Sequence, residues 1–262
     1  MKVGFLGAGK MAEGILSAIE DKRGVVMAER LPERARALRR KYGVTVTADA
    51  KEVLAKAKLV FLAVRPQDVD ALAAEVRPFL GADRTLVSIV AGKTLAKLRK
   101  AFGAKVNLVR VMPNLALRAK AGMCAICPAA KTPRKDVAAV EKILGGAGAT
   151  VLLKERDFDA VTALSGSGPA YFAFMEAAMA EGGVKLGLKP EVARLLAEQT
   201  MFGTAKFLRE SAADLDEFIA GVCTKGGTTA AGMEILVKSG FKKAVAGTLA
   251  AAAMRSRELA LA

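Results

Sequence analysis

Two glycines and an alanine near the start of the chain have the spacing of a phosphate-binding turn. Gly7, Gly9 and Ala12 form the pattern G-x-G-x-x-A between a short apolar run, Val3–Leu6, and a stretch with helical periodicity. In a strand–turn–helix of this kind, the first glycine permits the turn, the second admits a pyrophosphate, and the alanine lets the helix approach the strand. An ordinary tight turn is the alternative. We expect a dinucleotide to bind here through Gly7, Ala8, Gly9, Lys10 and Met11.

A second glycine turn lies in the other half of the chain, in the run Cys223-Thr-Lys-Gly-Gly-Thr-Thr229, before an apolar stretch, Ala230–Leu236. Successive N–H groups at such a helix start can bind a carboxylate, and threonine hydroxyls are available beside them. A plain helix N-cap is the alternative, but it would need only one threonine. We therefore expect an anion site formed by Thr224, Lys225, Gly226, Gly227, Thr228 and Thr229.

The residues after the second apolar run bear on which dinucleotide binds. Glu29 lies about 20 residues beyond Gly9, where an acidic side chain normally binds the ribose hydroxyls of NAD. Arg30 follows directly, with Arg34 and Arg36 one helical turn further, and arginines suit the 2′-phosphate of NADP. The two signals conflict, and a charged helix start without cofactor contact is the alternative. We expect both Glu29 and Arg30 to contact the cofactor, with NADP(H) preferred and NAD(H) also accepted.

Three further loops follow predicted strands and outline a path for the rest of the dinucleotide, because parallel strands end at one edge of such a sheet. The residues expected to line this path are Ala63, Val64, Arg65 and Pro66, then Val90 and Ala91, and then Met112, Pro113 and Asn114.

The composition excludes several chemistries. The chain has no histidine, so triads and metal sites that need an imidazole are excluded. Its three cysteines include the pair Cys124 and Cys127, but a single further cysteine does not complete a four-ligand zinc site. We expect no metal and interpret the cysteines as buried apolar residues.

The chain is strongly basic, with 41 Lys and Arg against 26 Asp and Glu and a formal net charge of +15. Because the basic residues are spread along helices and aromatic residues make up only 5%, we expect no nucleic-acid partner. A positive field that attracts anionic ligands and a merely solvated basic surface both remain open. No apolar run has membrane-spanning length and the first predicted strand leaves no room for a leader, so we expect a cytoplasmic protein without membrane contact.

The first half alternates short β-type runs with amphipathic stretches, which predicts a parallel sheet covered by helices. The predicted strands are Val3–Leu6, Val25–Ala28, Leu59–Val64, Leu86–Val90, Val106–Val111, Gly122–Cys127 and Thr150–Leu153, and the predicted helices span 10–20, 32–42, 66–80, 94–102 and 133–145. After residue 153 the pattern is helical, over 155–164, 168–187, 190–209, 213–220, 227–238 and 241–261. We expect an α/β fold, with a Rossmann-type doubly wound parallel sheet in 1–153 and an all-α dimerisation domain in 154–262.

Over essentially its whole length the chain resembles the pyrroline-5-carboxylate reductase family. The resemblance rests on Gly7-Ala-Gly-Lys-Met11, Ala63-Val-Arg-Pro66, Arg110-Val-Met-Pro-Asn114, Leu164-Ser-Gly-Ser-Gly-Pro-Ala-Tyr171 and Cys223-Thr-Lys-Gly-Gly-Thr-Thr229. It implies NAD(P)H-dependent reduction of 1-pyrroline-5-carboxylate, a cyclic imine that carries a carboxylate, to L-proline. It further implies that the second glycine turn binds that carboxylate, and that the protein is a dimer or a ring of dimers formed through the helical domain.

The same resemblance implies two residue roles. Thr229 matches the family's threonine near the ring nitrogen, where it would act as a catalytic residue, and Glu155 matches a position near the nicotinamide. The chain departs from the family's pattern at Thr224-Lys225, where Ser-Pro is usual, and at Leu115, where threonine is typical. A reductase of another cyclic imine or keto acid therefore stays open, as does a binding protein without catalysis.

Overall fold

The computed structural model describes residues 2–261, and the first part of this range alternates strands with helices. The strands are β1 (Val3–Leu6), β2 (Val25–Ala28), β3 (Thr45–Thr47), β4 (Leu59–Leu62), β5 (Thr85–Ser88), β6 (Asn107–Pro113), β7 (Gly122–Pro128) and β8 (Gly148–Leu152). The helices of this part are α1 (Lys10–Ala18), α2 (Pro32–Tyr42), α3 (Ala50–Lys56), α4 (Val69–Val76), α5 (Leu95–Phe102), α6 (Arg134–Gly145) and the single turn α7 (Phe158–Val161).

These strands form one sheet in the spatial order β3-β2-β1-β4-β5-β6-β7-β8. Neighbouring strands are parallel, except that β6 and β7 are antiparallel. The strand order reverses between β1 and β4, and doubly wound sheets bind ligands at the carboxyl ends of the strands beside such a switch point. The prediction of a Rossmann-type doubly wound sheet followed by a helical region is confirmed.

The antiparallel pairing of β7 corrects the expectation of a wholly parallel sheet. The connection between Pro113 and Gly122 holds only a 3-10 turn, Leu115–Ala119. A parallel crossover needs a dozen or more residues, so a connection this short returns the chain alongside β6 in the opposite direction.

The sequence pattern predicts neither β3 nor α3. β3 has three residues at the edge of the sheet, of which only Val46 is buried, so its alternation is too short to stand out. α3 has seven residues and begins after Asp49, whose carboxylate accepts a hydrogen bond from the Lys51 N–H at 2.8 Å. A three-residue strand and a two-turn helix fall below the length at which periodicity is informative.

The core of this part lies on both faces of the sheet, because the central strands are buried on both sides. On one face Phe5 and Phe61 stack with ring centroids 5.1 Å apart, among residues of α1, α2 and α6. On the other face Leu6 and Leu62 pack with α3, α4 and α5. The near-continuous apolar runs of β1 and β4 are thereby explained.

The chain divides into two compact units. One ends at Ser167 and includes the chain again from Ala252, and the other is Gly168–Ala251. The boundary predicted after residue 153 stays a prediction. Within the first unit, Asp159, in α7, accepts a hydrogen bond from Ser256 at 2.7 Å. The end of the last helix therefore packs with the sheet unit.

The helical unit is built from long helices. They are α8 (Gly168–Lys185), α9 (Pro190–Ser211), α10 (Leu215–Val222), α11 (Thr228–Lys238) and α12 (Phe241–Leu261), the last of which ends in the sheet unit. α8 and α9 pack together, and Phe207 and Phe218 have ring centroids 5.5 Å apart. Across residues 2–261, each helix is too short or too polar to cross a bilayer.

Candidate active site

The first glycine turn has the geometry that its spacing predicts. Gly7 has φ +95°, and a Cβ at this position would lie 2.7 Å from the carbonyl oxygen of Ala63. A side chain here would be strained by the backbone conformation and would also collide with the neighbouring β4 loop. Glycine is therefore required at this position for both reasons.

The start of α1 forms the open part of the same turn. Gly9 is the N-cap residue and no side chain caps the helix, whose first hydrogen bond runs from the Glu13 N–H to the Gly9 carbonyl at 3.0 Å. The N–H groups of Lys10, Met11 and Ala12 precede that bond, and a Cβ on Gly9 would meet nothing within 4 Å. This uncapped, open helix start fits a pyrophosphate.

The end of β2 gives Glu29 and Arg30 different surroundings. The Glu29 side chain is only 13% exposed, accepts a hydrogen bond from the Leu31 N–H at 3.0 Å, and lies 3.3 Å from Nε of Arg34. The Arg30 side chain is 79% exposed and pairs with Glu75 at 3.1 Å. The Glu29 carboxylate is thus paired with an arginine, while the Arg30 guanidinium is exposed and pairs with Glu75. The preference between NADP(H) and NAD(H) stays a prediction.

The three further loops follow the carboxyl ends of parallel strands and so lie at the same sheet edge as the glycine turn. The Ala63 N–H donates to the carbonyl of Leu6 at 2.8 Å, which places the loop that contains Ala63, Val64, Arg65 and Pro66 beside Gly7. Arg65 is exposed and forms an ion pair with Asp68 at 2.8 Å, and this hydrogen bond raises the pKa of Arg65. In the next loop Val90 is buried and Ala91 is exposed, so only Ala91 presents its side chain.

The third loop, Met112–Asn114, contacts Ser165 and Gly166, in the segment before α8. Oδ1 of Asn114 accepts from the Met123 N–H at 3.1 Å, and its Nδ2 lies 3.4 Å from Oγ of Ser165. Gly166 lies so close to the Met112 methyl group that a Cβ could not be accommodated. Ser165 and Gly166 therefore support the loop Met112–Asn114. The Asn114 side chain is used in these contacts within the protein.

Glu155 is held by a buried arginine. The Arg110 side chain is 6% exposed, its Nη1 donates to Oε1 of Glu155 at 2.9 Å, and its guanidinium lies 4.6 Å from the centre of the Phe158 ring. The same carboxylate oxygen accepts the first N–H of α5, from Leu95, at 2.7 Å. The structure thus gives Glu155 a role in joining β6 and α5, and its expected contact with the nicotinamide stays a prediction.

The geometry of the second glycine turn requires glycine at both Gly226 and Gly227. Gly226 has φ +72°, and Gly227 donates to the carbonyl of Thr224 at 2.9 Å while lying too close to the Thr224 hydroxyl for a Cβ. The first hydrogen bond of α11 runs from Ala231 to Gly227, and no side chain caps the helix. The N–H groups of Thr228 and Thr229 are therefore open to an anion, and Lys225 is exposed beside them.

The structure places the first glycine turn, the end of β2 and the three further loops at one sheet edge, whereas Glu155 follows β8 and binds Arg110 and Leu95. The predicted carboxylate turn belongs to the helical unit.

The sequence patterns did not point to Glu13, and they indicated Arg34 as a partner for the 2′-phosphate of NADP. Arg34 donates to the Ala8 carbonyl at 2.5 Å and to Glu13 at 3.2 Å. Glu13 lies in the first turn of α1, so a nearby cation reduces its repulsion of a bound phosphate.

Cys124 and Cys127 are free thiols that lie buried in the sheet unit. Burial raises the pKa of Cys124 to about 12, and burial is also the main cause of the raised pKa of Cys127. The two side chains belong to different apolar clusters of the sheet unit, and all three cysteines are free. Across residues 2–261, no three acidic or cysteine side chains are grouped in a way that could hold a metal ion.

The sheet and the open glycine turn define a dinucleotide-dependent enzyme. Residues 2–92 match the family model described as NADP oxidoreductase, coenzyme F420-dependent, so the protein is an NAD(P)H-dependent oxidoreductase. Residues 155–259 match the model described as pyrroline-5-carboxylate reductase dimerisation.

Full-length relatives make the assignment specific. The chain is 36% identical to pyrroline-5-carboxylate reductase of Synechocystis, covering 99% of this chain and 98% of that one. It is 32% identical to pyrroline-5-carboxylate reductase 2 of Bacillus subtilis, covering 98% and 95%. The chain therefore belongs to the pyrroline-5-carboxylate reductase family, as the sequence motifs predict.

Solved structures agree with this assignment. A pyrroline-5-carboxylate reductase from Coxiella burnetii superimposes with a TM-score of 0.93 at 28% identity, covering 98% of both chains. The Plasmodium falciparum pyrroline carboxylate reductase with NADP bound has a TM-score of 0.88 at 27% identity, covering 99% of this chain and 98% of that one.

Proposed function

We propose that the chain reduces 1-pyrroline-5-carboxylate to L-proline, with NADPH as the preferred reductant and NADH as a second one. The observation that carries the proposal is the pair of uncapped helix starts, at Gly9 in the sheet unit and at Gly227 in the helical unit. One helix start fits a pyrophosphate and the other a carboxylate, and the family's reaction needs one of each.

The dinucleotide is bound by the first turn and by the neighbouring loops. The N–H groups at the start of α1 hold the pyrophosphate, and the loops that contain Ala63–Pro66, Val90, Ala91 and Met112–Asn114 line the path from there. When bound, the reduced nicotinamide supplies a hydride to the C=N carbon of the imine. The contribution of the chain is to orient the two molecules and to exclude water.

The substrate carboxylate binds the N–H groups of Thr228 and Thr229. The helix dipole of α11 favours the negative charge, and the exposed Lys225 adds an ammonium group beside it. Held in this way, the ring has a fixed carboxylate end, and the Thr229 hydroxyl can hydrogen-bond the ring nitrogen.

The proton on that nitrogen has a simple source. The chain has no histidine, the usual proton donor near neutral pH, and a threonine hydroxyl is a weak acid. The imine therefore enters in its protonated form or takes its proton from water. We assign Thr229 the task of holding the nitrogen in place.

The preference for NADPH is supported by the end of β2. The guanidinium of Arg30 is exposed and its ion pair with Glu75 lies near the surface, so Arg30 can exchange this weak pair for a 2′-phosphate. Glu29 is already paired with Arg34, which reduces its repulsion of that phosphate.

The dimer is supported by the apolar surface of the helical unit, where large side chains lie exposed. They include Phe172, Phe174, Leu186, Leu195, Phe202, Ile235 and Val237. We propose that these residues pack against a second copy of the chain, and that dimers assemble further into a ring. Light scattering on the purified protein measures the number of copies.

A cytoplasmic location is supported by the free cysteines.

Initial rates of NADPH oxidation with 1-pyrroline-5-carboxylate test the function. We expect saturable turnover, and a faster rate with NADPH than with NADH at equal concentration. A rate equal to that without substrate would reject the proposal.

The exposed Lys225 favours one second candidate, a reductase that prefers a larger cyclic imine or a keto acid with the same carboxylate. Comparing kcat/KM for the five-membered and six-membered imines decides between the two. A clear preference for the five-membered ring rejects this candidate.

A further inference from the structure

We propose that Arg34 is a positioning residue for the dinucleotide, because it fixes the first glycine turn and neutralises Glu29 beside the cofactor site. The inference rests on the proposed use of a nicotinamide dinucleotide. It adds a residue on α2, outside the glycine turn and the three further loops, to the residues that determine cofactor affinity and choice.

The first step is the contact with the turn. Arg34 lies in the first turns of α2, and its Nη2 donates to the carbonyl of Ala8 at 2.5 Å. Ala8 is the residue between the two glycines, and glycines on both sides leave its peptide groups unusually free to rotate. A guanidinium bound to that carbonyl reduces this freedom before the dinucleotide arrives, which lowers the entropic cost of binding.

The second step is charge. Arg34 has one carboxylate on each side, with Oε1 of Glu13 at 3.2 Å and Oε2 of Glu29 at 3.3 Å. Glu13 has two further partners, the Tyr42 hydroxyl at 3.1 Å and the Lys41 ammonium at 3.5 Å. Glu29 has only the Leu31 N–H besides Arg34 among residues 2–261, so its negative charge depends on Arg34 for neutralisation.

The third step concerns the kind of interaction with Glu29. Nε of Arg34 is buried, and among the described residues it makes no hydrogen bond of acceptable geometry, although the Glu29 oxygen is near. The interaction is therefore mainly electrostatic. A cation of similar reach would replace it, whereas a neutral side chain would leave Glu29 facing the 2′-phosphate of NADPH uncompensated.

Dissociation constants for NADPH and NADH, measured by cofactor fluorescence without substrate, test the proposal. In Arg34→Ala, we expect about fivefold weaker binding of NADH from the loosened turn, and about a further fivefold loss for NADPH from repulsion by Glu29, each equivalent to roughly 1 kcal/mol. The double variant Arg34→Ala with Glu29→Gln should recover the NADPH-to-NADH ratio of the wild type but keep the common loss.

Two further variants make the test sharper. Arg34→Lys keeps the charge but lacks the planar fork, so it should keep the cofactor ratio and lose affinity for both cofactors alike. Arg40→Ala removes an exposed arginine from the same helix, and both constants should stay within about twofold of the wild type. Thermal unfolding checks that each variant is folded.

Four results would overturn the proposal. Arg34→Ala with both constants unchanged would remove any positioning role. Equal losses for both cofactors would contradict the neutralisation of Glu29. A loss confined to NADPH that Glu29→Gln does not repair would mean that Arg34 binds the 2′-phosphate itself. Wild-type protein that binds neither cofactor would reject the proposed function together with this inference.

Discussion

The two units of the chain handle their apolar residues in opposite ways. In the sheet unit the large side chains of the central strands are fully buried, as Phe5 and Phe61 show. In the helical unit the buried residues are small, such as Ala193 and Ala197, while Phe174 is 79% exposed. One unit completes its own core, and the other leaves apolar surface to be covered by another chain.

Because of this difference, the two glycine turns are supported in different ways. The first glycine turn, which we propose binds the dinucleotide, is fixed by contacts inside the sheet unit, through Ala63 and Arg34. The second glycine turn, which we propose binds the carboxylate, lies in a unit whose helices expose their apolar residues. Cofactor binding should therefore survive the loss of the dimer, whereas turnover should not.

The largest expected effect comes from the first turn and separates its two glycines. Gly7→Ala should lower the free energy of unfolding by about 2–4 kcal/mol and abolish NADPH binding, because the Cβ is strained and collides with Ala63. Gly9→Ala should leave stability within about 1 kcal/mol but weaken NADPH binding at least about tenfold, because its Cβ enters the space expected for the phosphate. Urea unfolding and cofactor titration measure both. Equal effects of the two substitutions would refute the distinct roles of these glycines.

The next effect tests the dimer. Leu195 and Phe202 are both exposed and lie seven residues apart on one face of α9. The double substitution Leu195→Glu with Phe202→Glu should give monomers by light scattering and lower kcat/KM at least about fiftyfold, since a charge buried at an apolar interface is strongly unfavourable. NADPH affinity should change less than about twofold, because the first turn is supported within the sheet unit.

Lys142→Glu, on an exposed position of α6 in the sheet unit, is the control for added negative charge. It should leave the assembly and the rate unchanged. A monomeric double variant with full activity would show that the helical unit needs no partner.

A smaller effect is expected at the second turn. Thr229→Ala should lower kcat about 10- to 100-fold, as expected for a lost hydrogen bond to the reacting nitrogen, while the free energy of unfolding changes by less than about 0.5 kcal/mol. Thr229→Ser keeps the hydroxyl and should recover most of the rate. Steady-state kinetics and thermal unfolding are the measurements, and a fully active, folded Thr229→Ala would remove this role.

The smallest effect concerns the buried thiol of Cys124, in the sheet unit. Its folded pKa is raised to about 12 from 9.0 by burial, so the unfolded chain loses this proton at lower pH than the folded chain does. The stabilisation from Cys124 is therefore fully present below pH 9 and declines as the pH rises from there toward 12. By about pH 10 the loss should be about 1 kcal/mol, and Cys124→Ala should lack this part of the decline. Identical pH profiles above pH 9 would contradict the burial of this thiol.

The sequence predicted those parts of the molecule whose structure depends on neighbouring residues in the chain. The Gly7–Ala12 turn could be read because its strand, turn and helix are continuous in sequence. The direction of β7 could not, because it depends on the length of a connection whose 3-10 turn has no strong sequence signal. The surroundings of Glu29 depend on Arg34 and Leu31, and the return of Ser256 to Asp159 joins residues far apart in sequence. Side-chain contacts of this kind produce no periodic pattern in the sequence, so the sequence alone does not reveal them.

The central claim is that the chain moves a hydride from a bound dinucleotide to the C=N carbon of 1-pyrroline-5-carboxylate. NADPH that carries deuterium at the transferred position of nicotinamide C4 tests it most directly, with the proline product examined by mass spectrometry. We predict proline with one deuterium at the former C=N carbon, formed in step with NADPH oxidation. NADPH oxidation without labelled proline would contradict this claim.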